Sequence, residues 1–206
     1  MPSDRSVDET KRATLRRFAA LGAAGSLTRL AGEAEASEGS GSDAREAIAG
    51  YVSTTPGAHF SKVRDDLQLG TGEAQHHLRR LVAADAVESH RDGDYRRFFP
   101  TGRFSGFEKR ALGYLRRDTA RGMVVELLRD PSATGGDLAA ALDVSRSTVS
   151  KYAGELEEAG VLSRTDGYAV ERPETVLLLL VRYADSFDED VRRFADEADS
   201  FVSFDG

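Results

Sequence analysis

Between residues 43 and 171 the apolar positions of this chain fall into two sets that superimpose on a shift of 75 residues. Pro56 falls on Pro131, Ile48 and Val52 on Met123 and Leu127, Val63 and Leu67 on Leu138 and Leu142, Leu69 on Val144, and Ala74, Leu81 and Ala84 on Val149, Leu156 and Ala159. The polar positions between them do not match. A duplicated fold leaves this trace, because packing fixes the core faces while the exposed faces are free to diverge.

Each repeat reads as three short helices followed by a two-stranded hairpin. In the first, Ile48, Tyr51 and Val52 predict one helix, and Phe60, Val63 and Leu67, three and four apart, predict a second. Gly70-Thr71-Gly72 breaks the chain before Ala74, Leu78 and Leu81 open a third stripe. Helix, tight turn and helix is the arrangement that presents a recognition helix. Val87 to His90 and Tyr95 to Phe99 then flank Arg91-Asp92-Gly93-Asp94, and an Asp-Gly pair between branched or aromatic residues is a strong hairpin signal. The second repeat ends likewise, in Val161 to Arg164, Thr165-Asp166-Gly167 and Tyr168 to Val170.

The run Ser145-Arg146-Ser147-Thr148-Val149-Ser150-Lys151-Tyr152, continued by Glu155-Leu156-Glu157-Glu158-Ala159-Gly160-Val161-Leu162, resembles winged-helix regulators of the ArsR/MarR type. Gly70-Thr71-Gly72-Glu73-Ala74-Gln75-His76-His77-Leu78-Arg79-Arg80-Leu81 is similar to the matching segment of archaeal winged-helix proteins. The resemblance covers about residues 43–171 and is more specific for fold than for target. It implies a mostly α chain with small β hairpins: two tandem winged helix-turn-helix domains joined by a helix, plus C-terminal helices. The divisions are an N-terminal arm at 1–42, winged helices at 43–104 and 119–171, a joining helix at 105–118 and C-terminal helices at 172–206. The implied partner is double-stranded DNA.

The residue types fit that partner. Ser145 is placed to cap a helix N-terminus, whose free N–H groups and positive dipole end suit a phosphate. Small polar residues there let the backbone approach the major groove, while Arg146 and Lys151 can reach phosphates or base edges. Candidate DNA-binding residues are Thr71, Gln75, His76, Arg79, Arg80, Arg91, Arg96 and Arg97 in the first repeat. In the second they are Ser145, Arg146, Ser147, Ser150, Lys151 and Arg164. Gln75, His76, Arg146, Ser147 and Ser150 are the candidates for base readout.

Charge complicates this picture. The chain carries a net −7, whereas many DNA-binding domains have a basic excess. By segment the net is 0 over 1–42, 0 over 43–104, +2 over 105–118, −4 over 119–171 and −5 over 172–206, so the acidity lies toward the C-terminal end. With only Lys11, Lys62, Lys109 and Lys151 as lysines, among abundant Arg, Asp, Glu and Ala, the balance looks like that of an extreme halophile. In concentrated salt the Debye length shrinks to about 3 Å, so distant repulsion is screened and counterion release drives binding less. The second repeat has the better motif but follows it with Glu155, Glu157 and Glu158; the first has Arg79 and Arg80 on its helix and arginines around its wing. The first repeat is therefore the electrostatic anchor, and the second adds a groove contact.

Other chemistry finds little support. His76 and His77 are adjacent, and helix neighbours point about 100° apart, so they rarely share one ion. His76 is expected to face DNA and His77 to pack toward the second helix. The chain has no cysteine, which removes thiolate zinc sites and disulfides. It has no G-x-S-x-G, phosphate-loop or H-E-x-x-H signature. The expectation is a non-enzymatic protein without metal or cofactor, its effector, if it has one, unspecified.

Phe107, Ala111, Tyr114 and Leu115 predict a helix bridging the repeats, with Lys109, Arg110, Arg116 and Arg117 outward. In the first 42 residues, Leu15-Arg16-Arg17-Phe18 before Ala19 to Thr28, with Ala34-Glu35-Ala36 beyond, resembles a twin-arginine export signal. Leu15 stands where that motif takes Ser or Thr, Ala19 where it takes Phe, and Arg29 borders the short apolar run, which favours an amphipathic helix or disordered arm. Gly32 to Ser42 has a linker's composition. No stretch approaches the ~18 apolar residues of a membrane span, and the expected location is the cytoplasm.

Past the second wing, Pro173 suits a first helical turn, Val176 to Val181 is unbroken apolar, and Phe187, Val191, Phe194, Ala198 and Phe201 form a further stripe. One helix face covers roughly 100°, and six consecutive apolar residues exceed it. A homodimer is expected through Val176, Leu177, Leu180, Val181, Phe187 and Phe194, with the second stripe folding back on its own domain as the alternative. The function these readings lead to is sequence-specific transcription regulation on duplex DNA. The competing class is a tandem winged-helix interaction module of the transcription machinery that reads no bases.

Overall fold

The computed structural model describes residues 13–20 and 39–198, which divide into two units between Phe104 and Ser105. In the first unit, residues 13–20 form a helix, α1. It is followed by α2 (Gly39–Thr54), β1 (Ala58–His59), α3 (Phe60–Asp66), α4 (Thr71–Ala83), β2 (Val87–Asp92) and β3 (Tyr95–Pro100). Helix α2 buries Ala44, Ala47, Ile48, Tyr51 and Val52, and α4 buries Ala74, His77, Leu78 and Leu81. Both sets keep the three-and-four spacing of a single face, which is why these segments are helices with one side closed. The hydroxyl of Tyr51 donates to Asp66 at 2.7 Å, tying α2 to α3.

Three features depart from the sequence reading. The hairpin is extended to a three-stranded antiparallel sheet, order β1-β3-β2, by a strand of only two residues, too short to leave a periodic signal. Gly72 lies inside the first turn of α4; the helix opens at Gly70, whose N–H donates to Glu73 at 3.3 Å. Residues 13–20 take the helical of the two expected forms, but not as a separate arm: Leu15 joins the first core and Phe18 packs edge-on against Tyr51, ring centroids 5.1 Å apart. The remainder of the export-like segment, including Ala34 to Ala36, lies outside the described residues.

The second unit comprises α5 (Gly106–Leu115), α6 (Asp118–Arg129), α7 (Gly135–Ala141), α8 (Arg146–Glu158), β4 (Leu162–Ser163), β5 (Ala169–Val170), α9 (Pro173–Arg182), a 3-10 turn (Ala184–Ser186) and α10 (Glu189–Glu197). The helix expected to bridge the repeats is α5, and it is built into this unit, packed on α6 and α9. Its Ser105 cap accepts from Glu108 N–H at 3.3 Å while Glu108 accepts from Ser105 N–H at 2.7 Å, so the helix starts abruptly.

Duplication reaches the backbone. On a 75-residue shift α3 and α4 acquire the bounds of α7 and α8. The left-handed residues Gln68 and Asp85, which end α3 and α4, fall on Asp143 and Gly160. Each closes its helix the same way: Leu69 N–H to Arg64 O and Val144 N–H to Ala139 O, Ala86 N–H to Leu81 O and Val161 N–H to Leu156 O, all 2.9–3.0 Å.

Three of the residues expected at a dimer interface are enclosed. Val176, Leu180 and Phe194 are wholly buried within their own unit, where α5 and α10 both pack on α9. Val176, Leu179 and Leu180 of the unbroken apolar run thus find their partners inside the chain. Arg121 fastens the segment: its guanidinium donates to Leu115 O at 3.1 Å, to Asp118 at 2.9 Å and to Asp188, the N-cap of α10. Burial alone would raise the Asp188 carboxyl, but the Val191 N–H and Arg121 outweigh it and hold the group below its ordinary value. Leu178 and Val181 remain exposed, Phe187 and Leu177 are half-buried, and Phe201 lies outside the described residues.

Candidate nucleic-acid interface

Helix α4 buries one face in the first core, so Thr71, Gln75, His76, Arg79 and Arg80 are left on the other, all exposed. The adjoining hairpin carries Arg91 and Arg96, which stand directly opposite each other on β2 and β3. Like charges paired across a sheet cost stability. Here Arg91 Nε reaches the Gly93 carbonyl at 3.4 Å and the Arg96 guanidinium rests 5.7 Å from the Phe98 ring. Among the described residues Arg79, Arg80, Arg91 and Arg96 form no ion pair with a carboxylate. Four cations thus sit on α4 and on a hairpin packed against it, without an anion of their own.

Arg97 does not belong to this set. It is 2% exposed, with Nε 2.5 Å from Asp92 Oδ2 and a terminal nitrogen 3.0 Å from Gly57 O. Alternation along β3 turns it to the opposite face from Arg96, so it cannot meet phosphate as expected. Burial also claims His77, 8% exposed, while His76 is open to solvent, the two rings edge-to-face at 5.2 Å. Burial first, then His76, depresses the His77 pKa; Glu73 opposes the shift, and Arg45 on α2 and Arg80 add to it. Burial and then Arg97 likewise depress His59, which caps α3 by accepting from Lys62 N–H at 3.4 Å. Tyr95 was not among the sequence candidates. It is 49% exposed on the wing beside His59, ring centroids 5.3 Å apart, and its signal was an aromatic at an outward strand position.

In the second unit Ser145 caps α8, accepting from Thr148 N–H at 3.1 Å and sharing hydrogen bonds with the Ser147 and Thr148 hydroxyls at 2.7 and 2.8 Å. Arg146, Ser147, Ser150 and Lys151 are exposed along the same helix. Two of the cations here have carboxylates close by. Lys151 lies 3.8 Å from Glu155, which also accepts from Arg117 at 3.2 Å, and Arg164 pairs with Glu157 at 2.5 Å. The hydrogen bond from Arg164 holds the Glu157 carboxyl below its ordinary value. The hairpin is also reduced to two residues per strand, paired Leu162 to Val170 and Ser163 to Ala169.

Among the described residues no group of three His, Cys, Asp or Glu could hold a metal ion, and no helix is long and apolar enough to cross a membrane. Residues 42–112 match a family model described as an N-terminal HTH domain, and residues 116–163 match one described as winged helix-turn-helix DNA-binding. No curated protein and no solved structure matches the chain.

Proposed function

We propose that this chain, with an N-terminal HTH domain followed by a winged helix-turn-helix match, regulates transcription by sequence-specific binding of duplex DNA in the cytoplasm. The first unit grips the backbone through Arg79, Arg80, Arg91 and Arg96, and Thr71, Gln75 and His76 face the groove. The second unit adds Ser145, Arg146, Ser147 and Ser150 at the start of α8. The observation that carries this reading is the set of four exposed arginines on α4 and its wing that have no carboxylate partner among the described residues. Such cations supply sequence-independent affinity, and groove-facing polar residues supply discrimination. Salt-dependent retention on duplex DNA, followed by selection from random duplexes, tests it: retention with an enriched consensus is expected. Retention without a consensus would leave only phosphate binding. The absence of retention would favour the competing interaction module.

Self-association narrows to the exposed face of α9, where Glu174, Leu178 and Arg182 follow one another at four-residue intervals. That order is complementary to itself when two copies run antiparallel, Glu174 of each meeting Arg182 of the other. A contact this small would act when DNA half-sites bring two copies together. Light scattering should then give monomer mass for the free protein and two copies on a palindromic duplex, with Leu178→Glu removing the second copy; two independent binding events would reject the face.

A further inference from the structure

We infer that Arg97 is the positioning residue of the first wing: buried under the sheet, it ties the hairpin turn at Asp92 to the backbone at Gly57 and so holds Arg91 and Arg96 where they meet DNA. The inference rests on the reading of the first unit as the DNA anchor.

The sheet register shows what needs holding. Strand β1 supplies only two rungs, Ala58 to Phe98 and His59 to Arg97. On the other side of β3, Arg97 faces His90. The row His59, Arg97, His90 is therefore the last at which the sheet is three strands wide. Beyond it the wing continues as a two-stranded ribbon through Arg91–Arg96 and Asp92–Tyr95, and such a ribbon has little stability of its own. Arg97 stands at the junction and reaches both ways. Outward, Nε meets Asp92 at 2.5 Å, and the guanidinium lies 5.4 Å from the Tyr95 ring, so both residues of the last rung are engaged. Inward, a terminal nitrogen donates to Gly57 O at 3.0 Å, in the segment that joins α2 to β1.

A guanidinium suits this place and an ammonium does not. Its planar fork directs donors along fixed, divergent directions, so one side chain can hold a carboxylate and a carbonyl at once. Burying a cation is costly unless it is paired and hydrogen-bonded, and both conditions are met. Had the residue served only to fill the core, an apolar side chain would have done so without that cost. The work left for the charge is to fix the ribbon's angle.

The test is a double-mutant cycle on the full chain, read as affinity for a fixed duplex over a salt series. Arg96→Ala should weaken binding and lower the salt slope, having removed a phosphate contact. Arg97→Gln should weaken binding about tenfold, the cost of re-ordering roughly one residue of backbone on each encounter, with the slope unchanged. In a background lacking Arg91 and Arg96 the same substitution should have no effect, since nothing remains for it to position. Hydrogen exchange should quicken at Arg91–Arg96 and stay slow in α2 and α4. If Arg97→Gln does not fold, Arg97→Lys, which keeps the charge and loses the fork, carries the same cycle. A loss from Arg96→Ala with none from Arg97→Gln, or losses that add fully in the double variant, would overturn the positioning role. No loss from Arg96→Ala would instead overturn the anchor reading.

Discussion

Helices α4 and α8 occupy the same positions of the two repeats, residue for residue, and end in the same left-handed turn. Where α4 carries Arg79 and Arg80, α8 carries Gly154 and Glu155. The same turn of helix is cationic in one unit and anionic in the other. The hairpins diverge in step, six residues per strand with Arg91 and Arg96 against two per strand with Arg164 held by Glu157. The net charge of residues 43–104 is 0 and that of 119–171 is −4. What the pair teaches is that a winged-helix backbone does not settle how DNA is held. On the proposed reading, charge placement on one turn of a helix and on one hairpin decides it, and the acidic total of the whole chain conceals a locally cationic stretch.

The largest expected effect breaks the comparison outright if it fails. Replacing Arg79, Arg80, Arg91 and Arg96 with Ala should cost roughly one unit of salt slope per contact and most of the affinity for unrelated duplexes. The matching set in the second unit, Arg146, Lys151 and Arg164 to Ala, should change the slope much less. Equal losses from the two sets would mean that the pairing in the second unit does not restrain its cations.

Next in size is the release of one of those cations. Glu157→Gln should free Arg164 and steepen the slope by up to about one unit. It is a cleaner probe than Glu155, which also holds Arg117. A slope that does not move would show that Arg164 points away from DNA whatever its partner.

Much of this was legible in the sequence because it follows from periodicity. The core stripes of α2, α3, α4 and their repeats were fixed by apolar spacing, and the Asp-Gly pair marked the wing. What escaped has physical reasons. Strand β1 has two residues, too few for alternation to register, and it is paired only through β3. Arg97 sits in a run, Tyr95-Arg96-Arg97, where both arginines look exposed; only the strand's alternation, counted from fully buried Phe99, puts Arg97 on the enclosed face and leaves Arg96 on the other. Leu15 and Phe18 stand in a segment whose arginines suggest export, while their place in the first core depends on residues far along the chain, Tyr51 for Phe18. For Val176 to Val181 the apolar excess was visible, but not that α5 and α10 both pack on that helix and leave only Leu178 and Val181 of the run exposed. Turns ended by Gln68, Asp85 and Asp143 were hidden because those residues, unlike glycine, do not announce a left-handed backbone.

A smaller effect comes from moving one feature of the first unit into the second. A Cβ at Gly154 meets no atom within 4 Å, so Gly154→Arg can be made without a clash and copies Arg79 at its equivalent position. Removing a glycine from a helix interior should stabilise the second unit by up to about 1 kcal/mol, seen as a later thermal transition. The new cation should also steepen the salt slope. Stabilisation without a change in slope would place this turn of α8 off the DNA.

The smallest effect separates the units by pH. All four histidines, His59, His76, His77 and His90, lie in the first unit. His77 and His59 have pKa values below the ordinary 6.5, each chiefly through burial. Since the folded pKa is depressed, the unfolded chain takes up protons first as pH falls through 6.5, and the stability held by the neutral imidazoles is lost from there down to the lowered native values. Above 6.5 both states are neutral and the contribution is constant. The loss should appear as faster hydrogen exchange, corrected for intrinsic rate, in α4 as pH falls below 6.5, with α8 unaffected by this route because its unit has no histidine. His77→Leu should reduce the dependence, since its ring lies on the buried face with Ala74, Leu78 and Leu81 and its Nδ1 has no hydrogen-bond partner among the described residues. An acid limb of the same depth in α4 and α8, or one untouched by His77→Leu, would assign the pH response to carboxylates common to both units.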